Sequence, residues 1–176
     1  MRHYSWQHRA MDVFHTLAEV AVAIAGFSSL AIVFRGQRSG WQSQAYVSLA
    51  FALCWSIGSV FLALLPIILG EFGLDLAKAA RVGLFVLSAY MLLIGIGLMI
   101  VRWRIAAAGG GAMGMNPALT AFFLLIVLGA SAAATGLLPG PVHGWLAVSI
   151  ALLMAHATAE LGLLVVGTGT NQEDPG

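Results

Sequence analysis

The chain predicts an all-α bundle of membrane-crossing helices, and three observations carry that reading. Of its 176 residues, 60% are hydrophobic and 9% charged, where a soluble domain has about 25% charged residues. Five apolar runs offer the ~20 residues that cross a bilayer at ~1.5 Å per residue. A membrane then leaves the helix as the only open-chain way to satisfy the backbone. The expected architecture is a polytopic bundle of five transmembrane helices with an interfacial N-terminal helix, one unit over residues 1–170, and a flexible tail at 171–176.

The segment from Met1 to Met11 is basic, and Tyr4 and Trp6 suit the headgroup layer where aromatic rings anchor. The apolar run behind it exceeds the roughly 7–15 residues of a signal-peptide core and contains Glu19. It therefore predicts an interfacial helix leading into a first span at about 13–34, closed by Arg35 and Arg38. The second span, about 45–69, is flanked by Trp41 and holds Pro66, where a kink or early helix end is expected. A connector with Glu71, Asp75, Lys78 and Arg81 reads as one amphipathic surface turn. The third span, about 82–101, ends in Arg102, Trp103 and Arg104. The loop after it has four glycines in six residues but no following Lys and Ser/Thr, so it reads as a linker, not a phosphate cradle. The fourth span, about 118–138, carries GASAAATG, whose small residues let helix backbones approach closely in lipid. Pro139, Gly140 and Pro141 make a turn into the fifth span, about 145–166.

Five spans put the two ends of the chain on opposite sides. Basic residues divide four against four: Arg2, Arg9, Lys78 and Arg81 against Arg35, Arg38, Arg102 and Arg104. The second set lies nearer the spans and has no acids beside it, which places that side in the cytoplasm and the N-terminus outside. A net charge of +1, with no K/R-rich run, excludes nucleic acid as a partner. Cys54 is the only cysteine, so there is no internal disulfide and no thiolate cluster, and packing is its expected role.

The run TLAEVAVAIAGFSSLAIVFRG in the first span, with FLALLP in the second, resembles small bacterial multi-pass membrane proteins of unassigned function. Their first span reads roughly A-E-[IV]-A-V-x-x-A-G-F-[SA]. Ala18, Glu19, Val20, Gly26, Phe27 and Ser28 carry the match, together with Phe61 to Pro66. The resemblance covers about two of the five helices. It implies a helical bundle in a bacterial inner membrane and carries no activity with it.

Chemistry concentrates on the first helix. His8, Asp12, His15 and Glu19 recur at i, i+4, i+7 and i+11, on one helix face. A carboxylate at the depth of Glu19 costs on the order of 2.5–3.5 kcal/mol on insertion scales, so it needs a partner or a water-lined cavity. Below it, Ala21, Ala25 and Ser29 at i+4, with Gly26, read as a close-packing seam. The fifth span repeats the pattern: His15-Thr-Leu-Ala-Glu19 is echoed by His156-Ala-Thr-Ala-Glu160. In each, imidazole and carboxylate are one turn apart on one face. Ser149 continues the polar face of the fifth helix, and Thr120, Ser131 and Thr135 mark the fourth. If the first and fifth spans start at one surface, Glu19 lies ~9 Å deep and Glu160 ~22 Å. The carboxylates of parallel helices in one chain should then not meet, and a haem between His15 and His156 is excluded by the same offset.

Three readings compete. Polar side chains can act as glue between helices, each contact contributing about 0.6–2 kcal/mol, which accounts for the serines and threonines. Hydroxyls would serve as well at lower insertion cost, so the two carboxylates ask for more. A proton or small-cation pathway would use Glu19 with His15 and Asp12, and His156 with Glu160 as a second station. A transition-metal site would draw on His8, Asp12, His15 and His143 for Zn²⁺ or Cu²⁺. No catalytic set appears: G-x-S-x-G, H-E-x-x-H and a triad are all missing. No resident cofactor is expected beyond bound lipid. Besides the bilayer, the expected partners are further copies in a homo-oligomer or a larger membrane complex that this chain joins as a non-catalytic subunit.

Overall fold

The computed structural model describes residues 2–36, 43–107 and 117–166, and all the regular structure among them is α-helical. The helices are α1 (Arg2–Gly36), α2 (Ser43–Glu71), α3 (Leu76–Ala107), α4 (Pro117–Thr135) and α5 (Val142–Val166). Four of them contain stretches long and apolar enough to cross a membrane: Arg9–Leu30, Leu49–Glu71, Leu76–Val101 and Val142–Gly162. The fourth helix contributes a shorter apolar stretch, Thr120–Thr135. The chain is thus an all-α protein with the helices of a membrane protein. Trp41, Arg38, the glycine-rich loop and the tail from residue 167 lie outside the described residues, as do the side chains of His3, Tyr4, Trp6, His8, Arg35 and Arg102.

Helix lengths exceed the apolar runs. The first helix is continuous for 35 residues from Arg2 to Gly36, so the basic N-terminal segment and the apolar run form one rod. The second passes through Pro66 without ending and stops at Glu71, with the Pro66 ring buried. The connector is therefore shorter than its charges predict, because Lys78 and Arg81 already belong to α3. Its geometry explains the stop and the restart. Gly73 adopts φ +83°, its N–H bonds the Gly70 carbonyl at 2.9 Å, and Leu74 N–H bonds Leu69 at 3.1 Å. That paired arrangement caps a helix through a glycine in the left-handed region. Asp75 then caps α3: its Oδ1 accepts the Lys78 N–H at 2.9 Å, and Oδ2 pairs with Lys78 Nζ at 3.1 Å. These contacts hold the Asp75 carboxyl below its ordinary range, the Lys78 N–H being the largest cause. Gly136 repeats the same cap after α4, with φ +82° and bonds to Ala133 at 3.1 Å and from Leu137 to Ala132 at 2.9 Å. It ends that helix before Leu138.

Position in the bundle differs sharply between helices. α5 packs against each of the other four, whereas α1 packs against α2 and α5 and α4 against α3 and α5. Close approach depends on missing side chains. A Cβ on Gly58 would lie 2.4 Å from Tyr90, and one on Gly95 would lie 2.6 Å from Phe123. The core these contacts enclose is Phe14 and Ala21 from α1, Trp55 and Leu62 from α2, Leu84, Leu87 and Met91 from α3, Ile126 and Ala130 from α4, and Leu146, Ile150 and Leu153 from α5.

Candidate functional site

The two H-x-x-A-E runs meet opposite environments. On α1, Phe14, Ala18, Ala21 and Ser28 are buried against the bundle, while Asp12, His15, Thr16, Glu19, Ala23 and Gly26 are exposed. At ~100° per residue these two sets occupy opposite sides of one rod. The predicted polar stripe therefore points away from its own chain. Thr16 caps back onto the Asp12 carbonyl at 3.0 Å, so its hydroxyl is satisfied locally. The expected close-packing seam divides: Ala21 is buried, Ala25 half-buried, and Ser29, bonded to the Ala25 carbonyl at 2.9 Å, is exposed.

On α5 the same five-residue pattern is enclosed. His156 is 3% and Glu160 4% exposed, and Ser149 on the same face is buried at 6%. Aromatic rings from two other helices flank the imidazole. Phe122 of α4 stacks on it at 5.8 Å with 23° between the planes, and Trp55 of α2 meets it edge-on at 6.2 Å and 68°. Trp55 is in turn flanked by Phe51 at 6.0 Å, by Tyr90 of α3 at 5.9 Å and by Phe123 at 6.1 Å. Such pairs hold ring orientation, each contributing about 0.5–1.5 kcal/mol beyond burial. His156 and Glu160 are both engaged by neighbours, as is Thr120. Trp55 itself is wholly buried, and its Nε1 has no hydrogen-bond partner among the described residues.

Most hydroxyls satisfy themselves on their own helix. Ser28, Ser56, Ser59 and Thr158 each bond the carbonyl four residues back, at 2.7–2.9 Å. Between helices, Ser131 of α4 donates to Ser88 of α3 at 3.2 Å, and the Tyr90 hydroxyl of α3 donates to the Cys54 carbonyl of α2. Thr135 back-bonds to Ser131 and Ala132 at 3.1 and 3.0 Å.

Of the residues considered for a metal, Asp12 and His15 lie on the outer face of α1, and His143 is half-buried at the start of α5. The side chain of His8 is outside the described residues. Among the described residues, no three of His, Cys, Asp and Glu converge as a ligand set.

Sequence reasoning missed the aromatic box around His156. One signal could have found it: Trp55 sits in the middle of an apolar run, away from the headgroup layer where tryptophans concentrate. Comparison of the chain with family models, with curated proteins and with solved structures finds no match.

Proposed function

We propose that this chain is a small multi-pass protein of a bacterial inner membrane that forms a homo-oligomer and passes protons or small cations. In this reading α4 also crosses, giving five spans with a lead-in helix at the headgroups and the N-terminus outside. Glu19 is the main exchanging group, with His15 beside it and Asp12 at the entrance, and His156 and Glu160 form a second station. One observation carries the reading: an imidazole and a carboxyl one turn apart, 3% and 4% exposed, within a helix apolar enough to cross a bilayer. Serine and threonine would bridge helices there at lower insertion cost, whereas a carboxyl and an imidazole can take up and release a proton. The resemblance of the first span to small bacterial multi-pass proteins agrees with this setting.

The test is flux in liposomes holding the purified chain and a trapped pH dye, driven by an imposed potential. Glu19→Gln abolishes flux while leaving assembly intact, and Glu160→Gln reduces it. Unchanged flux in both variants overturns the proposal. Copurification of a stoichiometric larger partner, with no flux from the isolated chain, would favour an accessory subunit instead. Zinc or copper retained through purification without chelator would favour a metal-binding role.

A further inference from the structure

We infer that the outer face of α1 seats a second copy of this chain, with Glu19 of each copy against the partner's His15. The inference rests on the homo-oligomeric reading above and names the face that makes it. Three observations converge on it.

First, the stripe Asp12, His15 and Glu19 is exposed on the side of α1 opposite Phe14, Ala21 and Ser28, within a stretch apolar enough to span a membrane. Facing hydrocarbon, such a stripe is costly; facing another protein surface it is not. Second, the same line continues as Ala23 and Gly26, both exposed. A Cβ on Gly26 would touch nothing within 4 Å. Glycine costs about 1 kcal/mol relative to alanine inside a helix, and no contact among the described residues requires it there. Gly97, Gly129 and Gly162 are equally open, but only Gly26 continues a line of outward ionisable groups. Small residues on a lipid-exposed helix let a second backbone approach closely.

Third, the stripe is complementary to itself. A purely acidic line would call for a cationic partner of another kind, but here His15 lies between Asp12 and Glu19. Two copies inserted in the same sense and related by a two-fold axis along the membrane normal present the same face to each other. With equal positions at equal depth, Glu19 of each copy lies about one helical turn from the level of the partner's His15, a diagonal the two side chains can span, and symmetry makes the contact twice. Close approach at Ala23 and Gly26 brings the polar groups above them within hydrogen-bond reach. Carboxyl and imidazole are thereby paired without any contact from their own bundle.

Cross-linking in native vesicles tests this, in a Cys54→Ala background with one new cysteine at a time and a short bismaleimide. Ala23→Cys and Gly26→Cys are expected to give a band of twice the chain mass. Leu93→Cys and Leu125→Cys, on exposed faces of α3 and α4, are expected to give none. In the Ala23→Cys chain, Glu19→Ala loses most of the linked fraction, and exchanging the pair as His15→Glu with Glu19→His restores it. Equal linking at all four sites, or linking of Ala23→Cys only to a chain of different mass, overturns the inference. Flux measured on the same samples separates the two claims. Face-specific linking without flux leaves the interface standing and removes the pathway, whereas flux with no linked pair removes the interface.

Discussion

His15-Thr-Leu-Ala-Glu19 and His156-Ala-Thr-Ala-Glu160 share one local pattern and have opposite surroundings. The first lies on a helix that packs against α2 and α5 on one side only; the second lies on the helix that every other helix touches. Local sequence sets the spacing of imidazole and carboxyl, one turn apart on a shared face. The number of neighbouring helices sets what that face meets. A polar pair on an edge helix is available to another molecule, and the same pair on a central helix is available only to its own bundle.

The comparison can be broken or sharpened by substitution, and the largest effect is expected at the rings that enclose the buried pair. Trp55→Ala should lower the stability of the detergent-solubilised protein by about 3–5 kcal/mol, read from unfolding in a denaturing detergent titration. Trp55→Phe should cost far less, since it keeps an aromatic edge and removes an N–H that has no acceptor among the described residues. The two carboxylates come next. Glu160→Ala is expected to cost about 1–3 kcal/mol because it strands the enclosed groups that engage it, while Glu19→Ala in the separated chain should stay within about 0.5 kcal/mol of the parent. Equal losses would erase the distinction between the two helices. A similar contrast holds within α3. Gly95→Ala drives a Cβ to 2.6 and 2.8 Å from the Phe123 ring and should cost about 1–3 kcal/mol, whereas Gly97→Ala meets nothing within 4 Å and should gain up to about 1 kcal/mol from helix propensity. Thermal unfolding of the pair measures this directly.

The smallest effect belongs to the surface. Folded Asp75 titrates below its unfolded counterpart because the Lys78 N–H and ammonium favour its charged form. Its contribution is complete above the ordinary carboxylate value of about 3.9 and disappears as pH falls through the depressed folded value. Asp75→Asn should flatten the acid limb of the unfolding curve slightly, and a curve identical to the parent would show that the cap adds nothing.

Much of the fold was legible from composition and run length: five apolar stretches became five helices, although the fourth, expected to reach about residue 138, stops at Thr135 under the Gly136 cap. Helix ends were less so. Lys78 and Arg81 read as loop residues by charge, yet Asp75 caps a helix that includes them. At the sites, the i, i+4 spacing was legible and burial was not. Nothing within His-x-x-Ala-Glu distinguishes an edge helix from a central one, because burial is decided by residues far away in the chain, such as Trp55 and Phe122. The mid-run position of Trp55 was the one local trace of that enclosure.

The central place of α5 bears on how the protein is made. Synthesis runs from α1 to α5, so the helix that touches all the others is the last of them to leave the ribosome. Until it arrives, the surfaces of α1 to α4 that pack on α5, Trp55 and Phe122 among them, lack that partner. Membrane insertion can proceed helix by helix, but locking of the bundle waits for residues 142–166. A stalled or truncated chain would therefore expose apolar and aromatic side chains that α5 otherwise covers, the kind of surface that chaperones engage.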